Sequence, residues 1–184
     1  MGKQVLVLTG SPRKNGNSDM MADAFIAGAK AAGHSVDRVE TAHIKVDGCR
    51  ACDNCWSQGE ACIYQDDFNT KLAPLYEKAD VLVFAMPLYF YGFPAQIKAA
   101  LDKMYAYAVP AGAGKLHISE SAFLMCGGDE PMESYGGAIE SYRQAAKFCG
   151  WEDRGMVIAT GLLDKGAIEG SESLTKAEEL GRSI

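Results

Sequence analysis

The sequence predicts an α/β domain in which helices cover both faces of a five-stranded parallel sheet, a three-layer doubly wound architecture. Three observations predict this class. Short apolar runs rich in valine and leucine recur along the chain, as expected of strands that are buried on both faces. Segments of helical composition separate these runs, which is typical of βαβ units. The length of 184 residues suits a single domain with a full core.

The first strand, loop and helix follow one another at the start of the chain. The apolar run Gln4–Thr9 predicts a buried strand. The turn-forming residues of Gly10–Ser18 predict the loop that follows it. An alanine-rich helix is expected from about residue 19 to residue 32, with Asn17 or Ser18 as its N-cap.

An irregular segment interrupts the alternation after the second strand. Residues 35–41 alternate apolar and polar side chains, which predicts a strand toward the sheet edge. The chain from Ala42 to about Asp67 then has little periodicity and holds four of the six cysteines. A segment of this length in a compact domain is usually functional or disordered. We therefore expect one domain over residues 1–184, with a cysteine-rich insertion at about 44–67.

The second half of the chain returns to alternating elements. Its apolar runs predict strands over Asp80–Met86, Ser121–Cys126 and Gly155–Thr160. Helices are expected over Phe68–Lys78, Pro94–Tyr107, Tyr135–Cys149 and Leu174–Arg182. In doubly wound sheets, ligands bind beyond the carboxyl ends of the strands. The loops expected at those ends are Gly10–Ser18, Pro87–Phe93 and Gly127–Tyr135.

Charge and hydropathy exclude several classes of protein. The formal net charge is −6, and the chain has no block of basic residues, which argues against a nucleic-acid partner. It has no run of 18 apolar residues, so no membrane span is expected. The N-terminal residues do not resemble a secretory signal. We therefore expect a cytoplasmic protein, in which cysteine thiols stay reduced.

The first loop has the composition of a phosphate-binding loop. Its sequence, GSPRKNGNS, matches neither the dinucleotide-binding glycine pattern nor the P-loop of ATPases. Hydroxyls, amides and a guanidinium at a helix N-terminus are the donors that a phosphate monoester requires. The candidate phosphate ligands are Ser11, Arg13, Asn17 and Ser18. The alternative is an ordinary loop that leads into a capped helix.

The insertion carries a compact cysteine motif with the spacing C-x2-C-x2-C-x6-C. Its members are Cys49, Cys52, Cys55 and Cys62. Four thiolates match the ligand set of a [4Fe-4S] cluster. Zinc also accepts four thiolates, although the spacing lacks a second C-x2-C pair of the usual kind. A redox-active thiol loop that binds no metal is the third interpretation, and all three stay open.

Three further residues are interpreted individually. Trp56 either shields a metal centre from water or anchors the insertion to the domain. Cys126 and Cys149 lie outside the motif and are expected to be core residues.

Two of the loops carry a family resemblance. The loop GSPRKNGNS, taken with MPLYFYGFPAQIKAALDK at Met86–Lys103, resembles the flavodoxin-like NAD(P)H-dependent FMN reductase superfamily. The resemblance covers about residues 4–165 and implies the strand order 2-1-3-4-5. It also implies FMN, with its phosphate in the first loop and its ring against the second. The implied cofactor-binding residues are Ser11, Arg13, Asn17, Ser18, Pro87, Leu88, Tyr89, Phe90, Gly127, Gly128 and Asp129.

The cysteine motif narrows the resemblance to the iron–sulfur flavoproteins. That resemblance implies a [4Fe-4S] cluster on the four cysteines, which exchanges single electrons with FMN. It implies no catalytic side chain, a small-molecule or protein partner such as NAD(P)H or ferredoxin, and a homodimer or higher oligomer. An exposed aromatic loop also fits a homodimer. Two alternatives remain: a metal-free NAD(P)H-dependent FMN or quinone reductase, and a flavodoxin-like electron carrier.

Overall fold

A five-stranded parallel sheet forms the centre of the protein. The computed structural model describes residues 2–108 and 112–184. The strands are β1 (Gln4–Thr9), β2 (Ser35–Glu40), β3 (Val81–Pro87), β4 (Glu120–Cys126) and β5 (Glu152–Ala159). They lie in the order β2-β1-β3-β4-β5, and each neighbouring pair is parallel. Both the fold class and the strand order predicted from the sequence are confirmed.

The connections between the strands are mostly helical. The helices are α1 (Asn17–Ala31), α2 (Asn54–Gln58), α3 (Ala73–Tyr76), α4 (Ala95–Lys103), α5 (Gly136–Cys149) and α6 (Glu172–Arg182). The helix predicted over 68–78 is a π-helical turn, Phe68–Leu72, that continues into α3. The helix predicted over 94–107 is α4 followed by a 3₁₀ turn, Met104–Tyr107. Other boundaries differ from the predictions by only a few residues.

Alternate residues of the sheet pack against two separate helical layers. In β1, Val5 and Val7 belong to a cluster with α1 and α6. Leu6 and Leu8 belong to a second cluster with α3, α4 and α5. This two-sided burial explains why the central strands are continuous apolar runs in the sequence. The layers fix the sheet and leave its carboxyl edge to the loops.

The start of α1 differs from the prediction. Gly16 precedes the helix with extended backbone (φ −82°, ψ 170°), and no side chain caps the helix N-terminus. The expectation that Asn17 or Ser18 would be the N-cap is therefore wrong, because both residues already lie inside the helix. Asp19 in the first turn instead accepts a hydrogen bond from the backbone N–H of Asn15 (2.7 Å).

The two cysteines outside the motif lie in different environments. Cys126 is buried at the end of β4, as expected of a core residue. Cys149 is exposed, so its assignment to the core is wrong. It is the last residue of α5, beside Phe148, whose side chain is also exposed. The last turn of α5 therefore presents this face to solvent rather than to the sheet.

Helices α1 and α6 approach each other closely at two glycines. A Cβ on Gly28 would lie 2.0 Å from the carbonyl oxygen of Glu178, and one on Gly181 would lie 2.1 Å from that of Phe25. The backbones of the two helices are thus in direct contact. This contact fixes α6 and the chain that leads into it.

None of the helices within residues 2–108 and 112–184 has the length and hydropathy that crossing a bilayer requires.

We predict that Gly28→Ala destabilises the protein. The methyl group has no space between α1 and α6, and overpacking of this kind costs about 1–3 kcal/mol. The gain in helix propensity, about 1 kcal/mol, offsets part of this cost. Urea unfolding followed by circular dichroism measures the free-energy difference.

Gly136→Ala is the matched control. A Cβ at Gly136 meets nothing within 4 Å, and its φ of −55° is helical, so this variant should be as stable as the wild type or more stable. Equal stability of Gly28→Ala and the wild type would contradict the proposed close packing.

Candidate functional site

The loops after β1 and β3 continue the pairing of the sheet beyond the strands. The N–H of Gly10 donates to the carbonyl of Ala85 (3.0 Å), and that of Leu88 donates to the carbonyl of Cys126 (2.7 Å). The loops therefore leave the carboxyl edge side by side. They meet in one cleft, lined by Ser11, Arg13, Gly16, Asn17, Ser18, Pro87, Leu88, Tyr89, Cys126, Gly127, Gly128, Leu162, Leu163 and Lys165.

This cleft, which we call the edge cleft, contains all the predicted cofactor-binding residues except Phe90 and Asp129. Its volume is about 140 Å³, which accommodates a phosphate group. A larger ligand could place its anionic end in the cleft and its other atoms at the mouth.

The chemistry of the edge cleft favours an anion. The first N–H groups of a helix have no intrahelical acceptor, and α1 has no side-chain cap to satisfy them. These donors and the positive end of the helix dipole point toward the cleft. Arg13 and Lys165 add two cationic side chains to its lining. The missing cap is thus consistent with an external anion as the partner of these groups.

Lys165 is a site residue that the sequence analysis missed. It lies in the loop after β5. This loop leaves the sheet at the same edge as the loops after β1, β3 and β4. Parallel strand direction alone places a loop after β5 at that edge. The polar composition of the segment and its position beyond an edge strand gave no stronger signal.

Asn17, which lines the edge cleft, also makes hydrogen bonds to a neighbouring loop. Its Nδ2 donates to the carbonyl of Asp164 (2.8 Å), and its Oδ1 accepts a hydrogen bond from the N–H of Ile168 (3.3 Å). Both ends of the amide are thus engaged by the loop after β5. Asn17 holds that loop, with Lys165, against the start of α1.

The wall of the edge cleft includes a buried thiol. Burial raises the pKa of Cys126 to about 12, although a hydrogen bond with Ser18 lowers it. Cys126 is therefore a neutral thiol at physiological pH, and nucleophilic chemistry is not expected of it. Ser18, which is also buried, contributes its hydroxyl to the same wall.

The aromatic loop after β3 makes a tight turn at the mouth of the edge cleft. Tyr89 and Gly92 exchange backbone hydrogen bonds (3.2 and 3.0 Å), and the two residues between them have positive φ angles, 46° at Phe90 and 63° at Tyr91. Non-glycine residues rarely adopt this conformation, and such strain often marks functional sites. Phe90 is 99% exposed, so it lies outside the cleft, which Tyr89 lines. Phe93 turns inward and stacks on Phe123.

A buried tyrosine, Tyr135, fixes the loop that follows β4, the third of the predicted site loops. The hydroxyl of Tyr135 donates to the carbonyl of Asp129 (2.9 Å). A Cβ on Gly127 would lie 2.7 Å from that hydroxyl, so a glycine suits this position. Asp129 contributes its backbone to the loop and does not line the cleft, and its carbonyl also accepts the N–H of Gly161 (2.9 Å).

A second cleft collects the cysteines of the motif. We call it the cysteine cleft; its lining includes Cys49, Cys52, Cys55 and Cys62, together with Arg50, Tyr64, Lys103 and Tyr105. Burial raises the pKa of Cys55, and negative charge on Cys49 and Cys52 raises it further, which reflects their proximity. All four cysteines of the motif thus line one cleft.

The cysteine cleft is small. Its volume is about 30 Å³, against about 140 Å³ for the edge cleft. Among the described residues, no three His, Cys, Asp or Glu side chains are arranged to hold a metal ion. Four thiols gathered in one loop are nevertheless the donor set of a thiolate-bound metal centre.

The backbone of the cysteine loop is curled. Ala51 and Asp53 have φ angles of 49° and 57°, so the chain reverses between successive cysteines. The N–H of Ala51 donates to Sγ of Cys49 (3.5 Å).

Trp56 anchors the insertion to the rest of the domain. Its Nε1–H donates to the carbonyl of Tyr105 (2.9 Å), and the two rings lie 4.3 Å apart. Because Tyr105 belongs to the turn after α4, this contact ties α2 to the α4 segment. The structure thus supports the anchoring interpretation of Trp56.

Two aspartates close the base of the cysteine loop. The carboxylate of Asp66 accepts hydrogen bonds from the N–H groups of Asp47 (2.9 Å) and Phe68 (2.8 Å). It also forms an ion pair with the ammonium of Lys103 (2.5 Å). The carboxylate of Asp67 accepts a hydrogen bond from the backbone N–H of Lys45, and the N–H of Asp67 donates to the carbonyl of Lys45. Burial by itself raises the pKa of Asp66, but these hydrogen bonds and the Lys103 ammonium lower it below its ordinary value. Asp66 is therefore an anion that joins both ends of the loop.

Comparison with known proteins places the chain among flavin proteins. A family described as having the flavodoxin-like fold matches residues 3–180. An iron–sulfur flavoprotein of Archaeoglobus fulgidus is 31% identical over 96% of this chain and 76% of the relative. A putative NAD(P)H-dependent FMN-containing oxidoreductase of Bacillus subtilis is 21% identical over 96% of each protein.

Solved structures share the same fold. An NAD(P)H:quinone oxidoreductase from Methanothermobacter marburgensis superposes with a TM-score of 0.74 at 22% identity, over 99% of this chain and 96% of that one. At this identity the likeness concerns the fold.

We predict that Asn17→Ala releases the loop after β5. The amide of Ile168 loses its acceptor, and Asp164 loses its donor, so the Ile168 N–H should exchange with solvent at least tenfold faster, given about 1 kcal/mol or more per lost hydrogen bond. Amide hydrogen exchange measures this rate. Lys14→Ala, at an exposed residue of the same loop after β1, should leave this rate unchanged. Equal exchange in both variants would contradict the positioning role of Asn17.

Proposed function

The chain belongs to the flavodoxin-like family that includes the iron–sulfur flavoproteins and NAD(P)H-dependent FMN oxidoreductases, and on this premise we propose that it is an FMN-dependent oxidoreductase with a [4Fe-4S] cluster as its second redox group. The observation that carries the proposal is the coexistence of two clefts. One gathers anion-binding groups at the carboxyl edge of the sheet, and the other gathers four thiols.

The residues of the edge cleft fit the phosphate end of FMN. We assign the phosphate to the uncapped N-terminus of α1, Ser11, Ser18 and the cations Arg13 and Lys165. Asn17 positions the loop that carries Lys165. The ring is then left to the mouth of the cleft, against Pro87, Leu88, Tyr89 and the glycines of the third loop.

The residues of the cysteine cleft fit a [4Fe-4S] cluster by their donor chemistry. We assign Cys49, Cys52, Cys55 and Cys62 as its ligands. When bound, FMN supplies a carrier of one or two electrons and the cluster supplies a carrier of single electrons. The protein residues bind and orient these groups, and none is assigned as a general acid or base. NAD(P)H is the proposed co-substrate, with a small molecule or a protein such as ferredoxin as the alternative redox partner.

A metal-free NAD(P)H-dependent FMN or quinone reductase is the second candidate. It is favoured by the small volume of the cysteine cleft and by the lack of a preformed metal-binding group among the described residues. In this case the cysteines would form a redox thiol loop, and the edge cleft would still bind the phosphate of FMN.

Anaerobic reconstitution with iron and sulfide distinguishes the two candidates. We expect the wild type to bind about four iron atoms per chain, with broad visible absorption that dithionite bleaches. Cys52→Ser should lose most of this iron. Cys149→Ser, at an exposed cysteine outside the motif, is the matched control and should retain it. FMN binding with NAD(P)H oxidation but no iron in the wild type would instead support the metal-free reductase.

A further inference from the structure

Lys103 places a buried positive charge in the wall of the cysteine cleft. It is the last residue of α4, and only 3% of its side chain is exposed. A lysine is almost never buried without a partner. Its partner is Asp66, 4% exposed, at 2.5 Å. The ammonium also lies 5.4 Å from the centre of the Phe68 ring, a favourable position for a cation.

The ion pair has a definite orientation relative to the cysteines. Lys103 lines the cysteine cleft, whereas Asp66 does not. The Asp66 carboxylate is instead directed to the base of the loop, where Asp47 and Phe68 donate their N–H groups to it. Lys103 is therefore the member of the pair that contributes to the wall of the cysteine cleft.

The other cation of the cysteine cleft is in a different environment. Arg50 is exposed, and its guanidinium lies over the Tyr64 ring, 4.3 Å from its centre. Solvent and salt screen a charge at such a position. Lys103 is shielded from solvent, so its field acts on the cleft at a lower effective dielectric constant.

We propose that Lys103 is the counter-charge of the four-cysteine centre, a positioning residue that stabilises the more reduced state of the group bound there. This inference rests on the proposed function. Four thiolates make the bound group anionic, and each added electron increases its negative charge. A nearby buried ammonium therefore stabilises the reduced form more than the oxidised form and raises the midpoint potential. Asp66, which does not line the cleft, holds the ammonium in place.

The test is a redox titration of the reconstituted protein followed by electron paramagnetic resonance. Lys103→Gln removes the positive charge, and we expect the reduction equilibrium to fall roughly tenfold, which corresponds to about −59 mV for one electron. Asp66→Asn keeps the ammonium and removes the carboxylate, so the midpoint should shift in the positive direction. A purely structural role would not move the two midpoints in opposite directions.

A third variant and a control complete the design. Asp66→Asn combined with Lys103→Gln leaves no unpaired buried charge, and the midpoint potential of this double variant should still fall. It is the variant to titrate if Lys103→Gln does not fold. Lys98→Gln is the matched control, because Lys98 lies on the same helix but pairs with Asp102 at the surface. Its midpoint should equal that of the wild type.

The outcomes separate this inference from its premise. If the wild type binds iron but the Lys103 and Asp66 variants shift in the same direction, or no further than Lys98→Gln, the role of Lys103 is wrong and the proposed function stands. If the wild type binds no iron after anaerobic reconstitution, the iron–sulfur function and the role of Lys103 are both overturned.

Discussion

The parallel alignment of β1, β3 and β4 is the constraint on which the rest of the structure depends. These strands pair in continuous register, and the helical layers bury both of their faces. Every loop that follows one of them must therefore leave at the same edge. The uncapped start of α1, the aromatic turn and the third loop meet there because strand direction leaves them no other position.

Helix α4 connects the two clefts. It begins at Ala95, directly after the aromatic turn, and ends at Lys103 in the wall of the cysteine cleft. Nine residues of helix span about 13 Å. The two clefts share no lining residue, and α4 with its flanking residues is one covalent connection between them. Trp56 and Asp66 fix the insertion to this helix and to the turn after it.

The sequence carried enough information for the fold and for much of the lining of each cleft, but less for individual roles. Apolar runs and turn residues predicted the sheet, because burial on both faces of a parallel strand leaves a strong pattern. The role of Asn17 could not be predicted, because its partners Asp164 and Ile168 lie far along the chain. Lys165 and Lys103 were missed for the same reason, since a charged residue in a loop or helix reveals its environment only through tertiary contacts.

The central claim is that the edge cleft grips the phosphate of a flavin mononucleotide, and a comparison of FMN with riboflavin tests it directly. Riboflavin lacks the phosphate and is otherwise the same ligand. Fluorescence titration of the purified protein should show FMN bound at least tenfold more tightly, since charge-assisted hydrogen bonds contribute about 1.5–3 kcal/mol each. Replacement of Arg13 and Lys165 by glutamine should remove most of this preference. Equal affinities for FMN and riboflavin in the wild type would contradict the account.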